Sequence, residues 1–273
     1  FIINQADTIP LNQSEQQEQI THSMLVSTGS LHLPGAMSYL TELYASDSIR
    51  GGKEDIYRAL LAEKDIEIAE QSLLLRWMHA GNTIMVNNGS VLHGRVSADK
   101  QIRLSSTCHF ERLYSPVILF GDHVPEHKPV TKLNKLSAAD LSPDVEDKGG
   151  RWLIEHDVEI PDNSLINSNL VVVGRLKIGR NCQINGSVKS RFLLNLGEGS
   201  EINGSLVCNN NIHCEKGTFV YGPVISEQTV YIKSDSTIGS ETAPTTVSAE
   251  EIHIYPDVVA YGTVWARQKG IVK

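Results

Sequence analysis

The chain has 273 residues, a formal net charge of −8 and an aromatic content of only 6%. This acidic average argues against nucleic acid or an anionic membrane surface as the main partner, although it leaves room for a local basic patch. With so few rings, the core must be built from small and branched aliphatic side chains, which favours thin, repetitive β layers over a deep globular core.

The first 30 residues are polar and rich in Gln and Asn, so we predict an extended or disordered lead-in over 1–30. Two interpretations of Phe1-Ile2-Ile3 stay open: the end of an upstream membrane anchor, or no anchor. No stretch approaches the roughly 18–20 apolar residues of a membrane span. Residues 36–64 are ambiguous between helical faces and irregular first β coils, and we favour coils.

A six-residue apolar repeat then begins. Its positions are Ile68, Leu74, Ala80, Val86, Leu92, Ala98, Leu104 and Phe110, each preceded two residues earlier by Ile66, Ser72, Met78, Ile84, Ser90, Val96, Ile102 or Cys108. Two inward residues spaced by two, followed by a four-residue return, describe a short strand and a corner. The repeat predicts a first β block over 31–121.

The same repeat returns over a second block, 151–273. One set steps from Ile154 through Ile160, Ile166, Val172, Ile178, Ile184, Ser190, Leu196, Ile202, Cys208, Cys214, Val220, Ser226 and Ile232 to Ile238. The residues two places before these are apolar or small and hydroxylic. A short insertion around Ser240 to Thr246 shifts the phase, and the pattern resumes as Ile252/Ile254, Val258/Ala260 and Val264/Ala266.

Three such strands make one coil of eighteen residues. Gly186, Gly204 and Gly222 recur at that longer period, and we expect them to supply a positive φ at a corner. The predicted fold class is therefore all-β: a single-stranded β-helix, or solenoid, whose second block continues the first. The four cysteines, Cys108, Cys182, Cys208 and Cys214, match no zinc spacing and are expected to be small core residues.

Between the blocks lies an inserted loop, 122–150, which is rich in charged residues, Pro and Ser and has room for a short helix between Leu133 and Leu141. Asp122, His123, Glu126 and His127 cluster at its start. A metal site is one interpretation of this cluster, but a polar loop gathers such residues by composition alone. We therefore assign no metal, cofactor or catalytic residue.

The segments Ile178-Gly-Arg-Asn-Cys-Gln-Ile-Asn-Gly-Ser-Val188 and Leu196-Gly-Glu-Gly-Ser-Glu-Ile-Asn-Gly-Ser-Leu206 resemble the repeats of bactofilins, the bacterial polymer-forming cytoskeletal proteins. The resemblance covers about 152–266 and, more loosely, 66–120. It implies a right-handed β-helix that polymerises end to end, with roles in cell shape or envelope organisation. The longer solenoid is similar to the membrane-anchored members, which implies membrane association. A loop that caps an end would block such polymerisation.

Hexapeptide acyltransferases share the Ile-Gly pattern and offer an alternative that needs a histidine base. The histidines within the coils are His93, His109, His156, His213 and His253. His213 and His253 are expected to point outward as solvated residues, and His93 precedes Gly94 at a corner. A carbohydrate-binding β-helix module is a further alternative.

The function that we predict is that of a non-enzymatic scaffold of the bacterial envelope or cytoskeleton, whose partner is a second copy of itself. Self-association is expected at the β-helix ends, with Ile254, Val264 and Trp265 as candidate contacts. Trp265 alternates with inward Val264 and should point outward.

Overall fold

A computed structural model describes residues 2–3, 13–127, 129–142 and 144–273 of the chain. It is 54% strand and 3% helix and forms a β-solenoid of about 14 turns with a spacing near 18 residues, which confirms the predicted fold class. The chain divides into two compact units: residues 1–121 together with 271–273, and residues 122–270. Phe1, at the proposed anchor stub, lies outside the described residues, and the handedness of the coil stays a prediction.

The first unit consists of short strands that each pair in parallel with the equivalent strand of the next coil. Its described elements are β1 Ile2–Ile3, α1 Gln13–Glu18, β2 Ile20–Thr21, β3 Leu25–Ser27, β4 Leu31–His32, β5 Ser38–Ala45, β6 Ile49–Arg50, β7 Ile56–Ala62, β8 Ile66–Ile68, β9 Leu73–Ala80, β10 Thr83–Val86, β11 Val91–Ala98, β12 Gln101–Leu104 and β13 His109–Phe120.

Paired strands already occur within residues 1–30, where we predicted an extended or disordered lead-in. Strands β2 and β3 both pair in parallel with β5, and Thr21, Leu25 and Ser27 are buried. Two of these three inward side chains are small and hydroxylic, so a search for apolar positions passes over them. Strand β1 in turn pairs in parallel with β3, so parallel pairing extends to the earliest described strand.

Residues 36–64 form coils, as we favoured. The rings of Tyr39 and Tyr57 are buried and stack with centroids 5.7 Å apart and planes 7° from parallel. The register between β5 and β7 shifts after Tyr39, and that between β7 and β9 shifts after Tyr57. These irregularities shorten some repeats by one residue, which is why the hexad pattern is hard to follow here.

A fully buried carboxylate supports these irregular coils. Asp55 accepts hydrogen bonds from the amides of Met37 and Gly52, at 2.9 and 2.8 Å, and from the hydroxyl of Tyr57 at 2.6 Å. Burial raises the pKa of Asp55, although its three hydrogen bonds act in the opposite direction. The carboxylate therefore links one coil to the next through buried hydrogen bonds.

The second unit contains the loop 122–150 and the second block of coils. Its described elements are β14 Asn134–Lys135, α2 Ala138–Leu141, β15 Glu146–Asp147, β16 Arg151–Ile154, β17 Val158–Ile160, β18 Ser164–Ile166, β19 Asn169–Val172, β20 Leu176–Ile178, β21 Gln183–Ile184, β22 Val188–Ser190, β23 Leu193–Leu196, β24 Glu201–Ile202, β25 Leu206–Cys208, β26 Asn211–Cys214, β27 Phe219–Val220, β28 Val224–Ser226, β29 Thr229–Ile232, β30 Thr237–Ile238, β31 Thr245–Ile254 and β32 Val258–Val272, whose last residues belong to the first unit.

The predicted inward positions form the core of this unit. Every member of the set from Ile154 to Ile238 is buried, including the two serines. Among the partners two residues earlier, Val158 is half-buried and the others are buried. Parallel registers such as Leu170 opposite Val188, and Val188 opposite Leu206, confirm the eighteen-residue coil.

One corner of each coil carries a residue in the left-handed region. Successive examples in the second unit are Asn163 at φ 60°, Asn181 at 51°, Gly199 at 65°, Gly217 at 68° and Asp235 at 60°. The residue after each of these points inward and is Ser, Cys or Thr. These small polar side chains satisfy the backbone groups of the corner, which would otherwise be buried without partners.

Ser200 shows how this corner works. Its hydroxyl accepts a hydrogen bond from the amide of Cys182 at 2.9 Å and donates one to the carbonyl oxygen of Gly179 at 2.9 Å. Ser236 does the same for the amide of Thr218 and the carbonyl oxygen of Glu215. The serine interruptions of the apolar pattern are therefore structural.

Our explanation for Gly186, Gly204 and Gly222 was wrong. None of the three adopts a left-handed φ. They are glycines because neighbouring coils approach too closely for a side chain: a Cβ on Gly204 would lie 2.6 Å from the carbonyl group of Gly186. The eighteen-residue glycine period thus reports contact between coils.

We expect Gly204→Ala to lower the free energy of unfolding by about 1–3 kcal/mol, because the added methyl group must push two coils apart. Urea unfolding followed by circular dichroism measures the change. Gly29→Ala is the matched control, since a Cβ there meets nothing within 4 Å and the φ is not left-handed. Equal effects of the two substitutions would contradict the close-approach explanation.

Candidate interaction surfaces

The first coil of the second unit is covered by the end of the loop 122–150. Strand β14 pairs in parallel with β18, placing Asn134 opposite Ser164. Strand β15 pairs antiparallel with β16, placing Asp147 opposite Trp152. Helix α2 lies against β17, between these two pairings. All three sides of this coil therefore have a covering element, which we call the cap (residues 134–148).

The loop reaches the cap by running along the coils of its own unit. The amide of His123 donates to Asp257 at 3.1 Å, near the last coil. His127 lies midway, with Nε2 3.6 Å from Glu201 and its ring centroid 4.3 Å from that of Phe219. The loop thus starts beside the last coil of the unit and ends on the first.

This course disperses the residues that suggested a metal site. His123 faces Asp257, whereas His127 contacts Glu201 on a different coil. Within the described part of the chain, no group of three or more His, Cys, Asp and Glu side chains could hold a metal ion.

A groove of about 930 Å³ lies between this loop and the left-handed corners. Asp162, Arg180, Glu198 and Lys216 line it at successive coils, so the sign of the charge alternates along the wall. Arg180 pairs with Asp162 at 2.8 Å. Hydrogen bonds from the backbone and side chain of Arg180 lower the pKa of Asp162. The wall therefore neutralises much of its own charge.

The three candidate self-association residues fall in two different environments. Ile254 and Val264 are fully buried, so their side chains are core residues, and a self-association contact at their strands stays a prediction. They point inward because they occupy repeat positions of β31 and β32 that continue the hexad pattern. Trp265 is 39% exposed, as its alternation with Val264 predicts.

The last coil of the first unit is also covered. The amide of Thr107 donates to the carbonyl oxygen of Val272 at 2.9 Å, and the amide of Val272 donates to that of Cys108 at 2.9 Å. The final residues of the chain therefore supply a strand to this coil. On that side, the last coil of the first unit is therefore not an open template for a second chain, and neither is the capped first coil of the second unit.

Of the candidate histidines, His93 has the most organised surroundings. Its Nδ1 lies 2.9 Å from Oε1 of Glu111, and Oε2 of Glu111 accepts the amide of Gly94 at 2.8 Å. Partial burial acts to raise the pKa of Glu111, but the hydrogen bonds from His93 and Gly94 outweigh it and lower the pKa. The pair is a histidine oriented by a carboxylate on an exposed strand.

His213 and His253 point outward, as expected, but their rings are partly buried rather than solvated. Tyr231 lies between them, with ring centroids 4.6 Å from His213 and 4.9 Å from His253. Burial in this stack lowers the pKa of His213. His109 is half-buried, and His156 is exposed, with Nδ1 2.9 Å from the carbonyl oxygen of Asp157. The stack is a packing feature of adjacent coils.

The four cysteine thiols are buried core groups. Burial raises the pKa of Cys108 to about 11 and that of Cys214 to about 12, which leaves both thiols protonated and unreactive at neutral pH.

One exposed surface escaped the sequence analysis: the outward side chains of β9 and β11. Trp77 is 38% exposed and lies opposite Arg95. A local excess of positive charge in the sequence could have indicated this surface. Residues 76–121 contain five Lys and Arg against two Asp and Glu, whereas residues 1–75 contain four against eleven.

No described helix has the length and apolar character needed to span a bilayer. No family model, curated protein or solved structure matches the chain.

We expect the double substitution Asn134→Pro and Leu136→Pro to detach the cap. Their amides donate to Asn163 and Leu165 at 2.7 and 2.9 Å, and proline has no amide hydrogen. Hydrogen exchange of β18 should become faster, and light scattering should show new concentration-dependent association through the exposed edge.

Lys135→Pro is the control for this experiment, because alternate amides of a strand face opposite ways and the amide of Lys135 points away from β18. Unchanged exchange and scattering in the double variant would show that the cap does not protect this coil.

Proposed function

We propose that this chain is a non-enzymatic scaffold protein that associates with copies of itself. The observation that carries the proposal is a set of large apolar side chains left exposed on outer faces whose inward neighbours are fully packed. Trp77 is 38% exposed in the first unit, and Phe192, Ile225 and Trp265 are 47, 40 and 39% exposed in the second. Stacked coils hold such side chains in fixed rows, which suits a surface that binds repeatedly in one geometry.

Because these coils are covered, we expect self-association to use exposed side chains on the outer faces of the coils. Strand-to-strand stacking at the first coil of the second unit would require the cap to leave, and at the last coil of the first unit it would require Val272 to leave. Contacts between exposed side chains require neither. Our proposal therefore keeps the scaffold role and replaces the expected end-to-end contact. The resemblance to bactofilin repeats supports a place in the bacterial envelope or cytoskeleton and an association with the membrane.

Trp265→Ala should weaken self-association without changing the β content, because an exposed indole is a common anchor of interfaces. Sedimentation velocity across a range of protein concentrations measures the association, and circular dichroism measures the β content. Lys189→Ala is the control, since it shortens an exposed side chain of the same unit that is not among these apolar residues. Identical sedimentation of Trp265→Ala and the unsubstituted protein would remove Trp265 from the interface.

A hexapeptide-type acyltransferase is the second candidate function, and the His93–Glu111 pair favours it. A histidine that is oriented by a carboxylate is the arrangement of a general base. On this hypothesis an acyl-coenzyme A binds near β11 and β13, where both residues lie.

If the acyltransferase hypothesis is right, calorimetry will detect binding of acetyl-coenzyme A, and a thiol-release assay will show acetyl transfer that His93→Ala abolishes. His156→Ala should retain the activity, because the ring of His156 contacts a backbone carbonyl and no carboxylate. No heat of binding at millimolar coenzyme would eliminate this function.

A further inference from the structure

The outward side chains of β9, β11 and β13 form a basic and aromatic surface on the first unit. We call it the Trp77 face and define it as Leu75, Arg76, Trp77, Arg95, Arg112 and Tyr114. Trp77 lies opposite Arg95, and Arg95 lies opposite Arg112, so the three occupy one row across adjacent coils. Tyr114 is 51% exposed beside this row.

The row places two like charges directly opposite each other. Neighbouring strands are about 4.8 Å apart, and like charges facing each other at that distance destabilise a sheet. One row of the second unit has the opposite arrangement: Asp162, Arg180, Glu198 and Lys216 alternate in sign from coil to coil. This pairing of like charges favours an anionic group close to the row.

The positive charge at this face is also poorly compensated within the protein. The four cations of residues 50–64 each make an ion pair, such as Arg50 with Glu67 at 3.0 Å and Lys53 with Glu70 at 2.8 Å. By contrast, the exposed side chains of Arg76 and Arg95 make no ion pair with any residue that the structure describes.

The complementary surface is present in the second unit of the same chain. Residues 138–162, which cover most of the cap and of the first coil beside it, contain eight Asp and Glu against two Lys and Arg. Asp144, Asp147 and Glu155 are exposed and, in the described ranges, make no ion pair. They are distributed over α2-to-β15, β15 and the turn after β16. We call residues 138–162 the acidic cap.

We propose that the Trp77 face of one copy binds the acidic cap of a second copy. This inference rests on the proposed scaffold function and identifies one contact by which it could act, separate from Trp265. A second copy is favoured because every copy carries one acidic cap for each basic face, so the complementary partner is always present in equal amount. Trp77 provides the apolar anchor, and the charges set the orientation.

The two surfaces differ, so the contact is heterologous. Each copy bound through its Trp77 face still presents its own acidic cap to a further copy, which makes the assembly open-ended. A contact between exposed charges is also weakened by salt, since the screening length falls to about 3 Å at 1 M. The proposal therefore predicts assemblies that lengthen with protein concentration and dissociate in salt.

A charge exchange tests the contact by sedimentation velocity at about 50 and 500 mM salt. Arg76→Glu with Arg95→Glu should weaken self-association roughly tenfold, and so should Asp144→Arg with Asp147→Arg. The quadruple variant, with both surfaces reversed, should regain association. An equimolar mixture of the two double variants should also associate, whereas neither variant does alone, because every face of one variant is opposite in charge to the acidic-cap surface of the other.

Lys189→Glu is the control, since it makes a similar charge change at an exposed site outside both surfaces, and circular dichroism verifies that every variant is folded. If both double variants lose association and the quadruple variant does not regain it, the pairing of face with cap is wrong. If the unsubstituted protein and all the variants associate equally well at both salt concentrations, this contact is wrong and the scaffold function stands.

Two further outcomes separate the remaining explanations. An unsubstituted protein that stays monomeric at every concentration would overturn the scaffold function and this contact together. The unsubstituted protein could also bind a heparin column and lose that binding in the Arg76→Glu with Arg95→Glu variant. If the variants of the acidic cap then have no effect on self-association, the partner is a polyanion and the proposal is overturned.

Discussion

The structure depends on one constraint: each strand must meet the equivalent strand of the next coil in parallel register, eighteen residues further along the chain. A coil can hold that register only if its corners have the same length and its corner amides and carbonyls find partners. The left-handed residue and the small hydroxylic or thiol side chain that follows it meet both needs, as Asn181 with Cys182 and Gly199 with Ser200 do. Asp55 performs the same task among the irregular early coils, with a carboxylate in place of the hydroxyl.

The same constraint creates a difficulty wherever a stack of coils stops. A terminal coil presents unpaired amides and carbonyls on all its sides and is a template for uncontrolled strand addition. The cap meets this difficulty with β14, α2 and β15, one on each side of the first coil of the second unit. That explains why an insertion as long as 122–150 is useful: it must travel the length of the unit before it can cover the coil at the other end.

The structural features that repeat along the sequence could be predicted from it, whereas those that occur once could not. The inward residues from Ile154 to Ile238 could be found because packing demands an apolar or small side chain at every sixth position. The cap could not be found in this way, since Asn134 and Asp147 pair with residues 30 and 5 positions away without any periodicity. The early coils were obscured by bulges after Tyr39 and Tyr57. The buried positions of Ile254 and Val264 follow from the repeat itself, which identifies them as core before it suggests them as contacts.

The repeat also explains why the outer surface is where function has to be sought. Inward positions are fixed by packing and corners by hydrogen bonding, so only outward side chains can vary without disturbing the register. Those side chains stack into rows, and a row stabilises the fold when its charges alternate, as from Asp162 to Lys216. The row that places Arg95 opposite Arg112 beside an exposed Trp77 departs from this alternation. On our proposal a second copy brings negative charge to this row through its acidic cap, the segment of the chain in which eight Asp and Glu stand against two Lys and Arg.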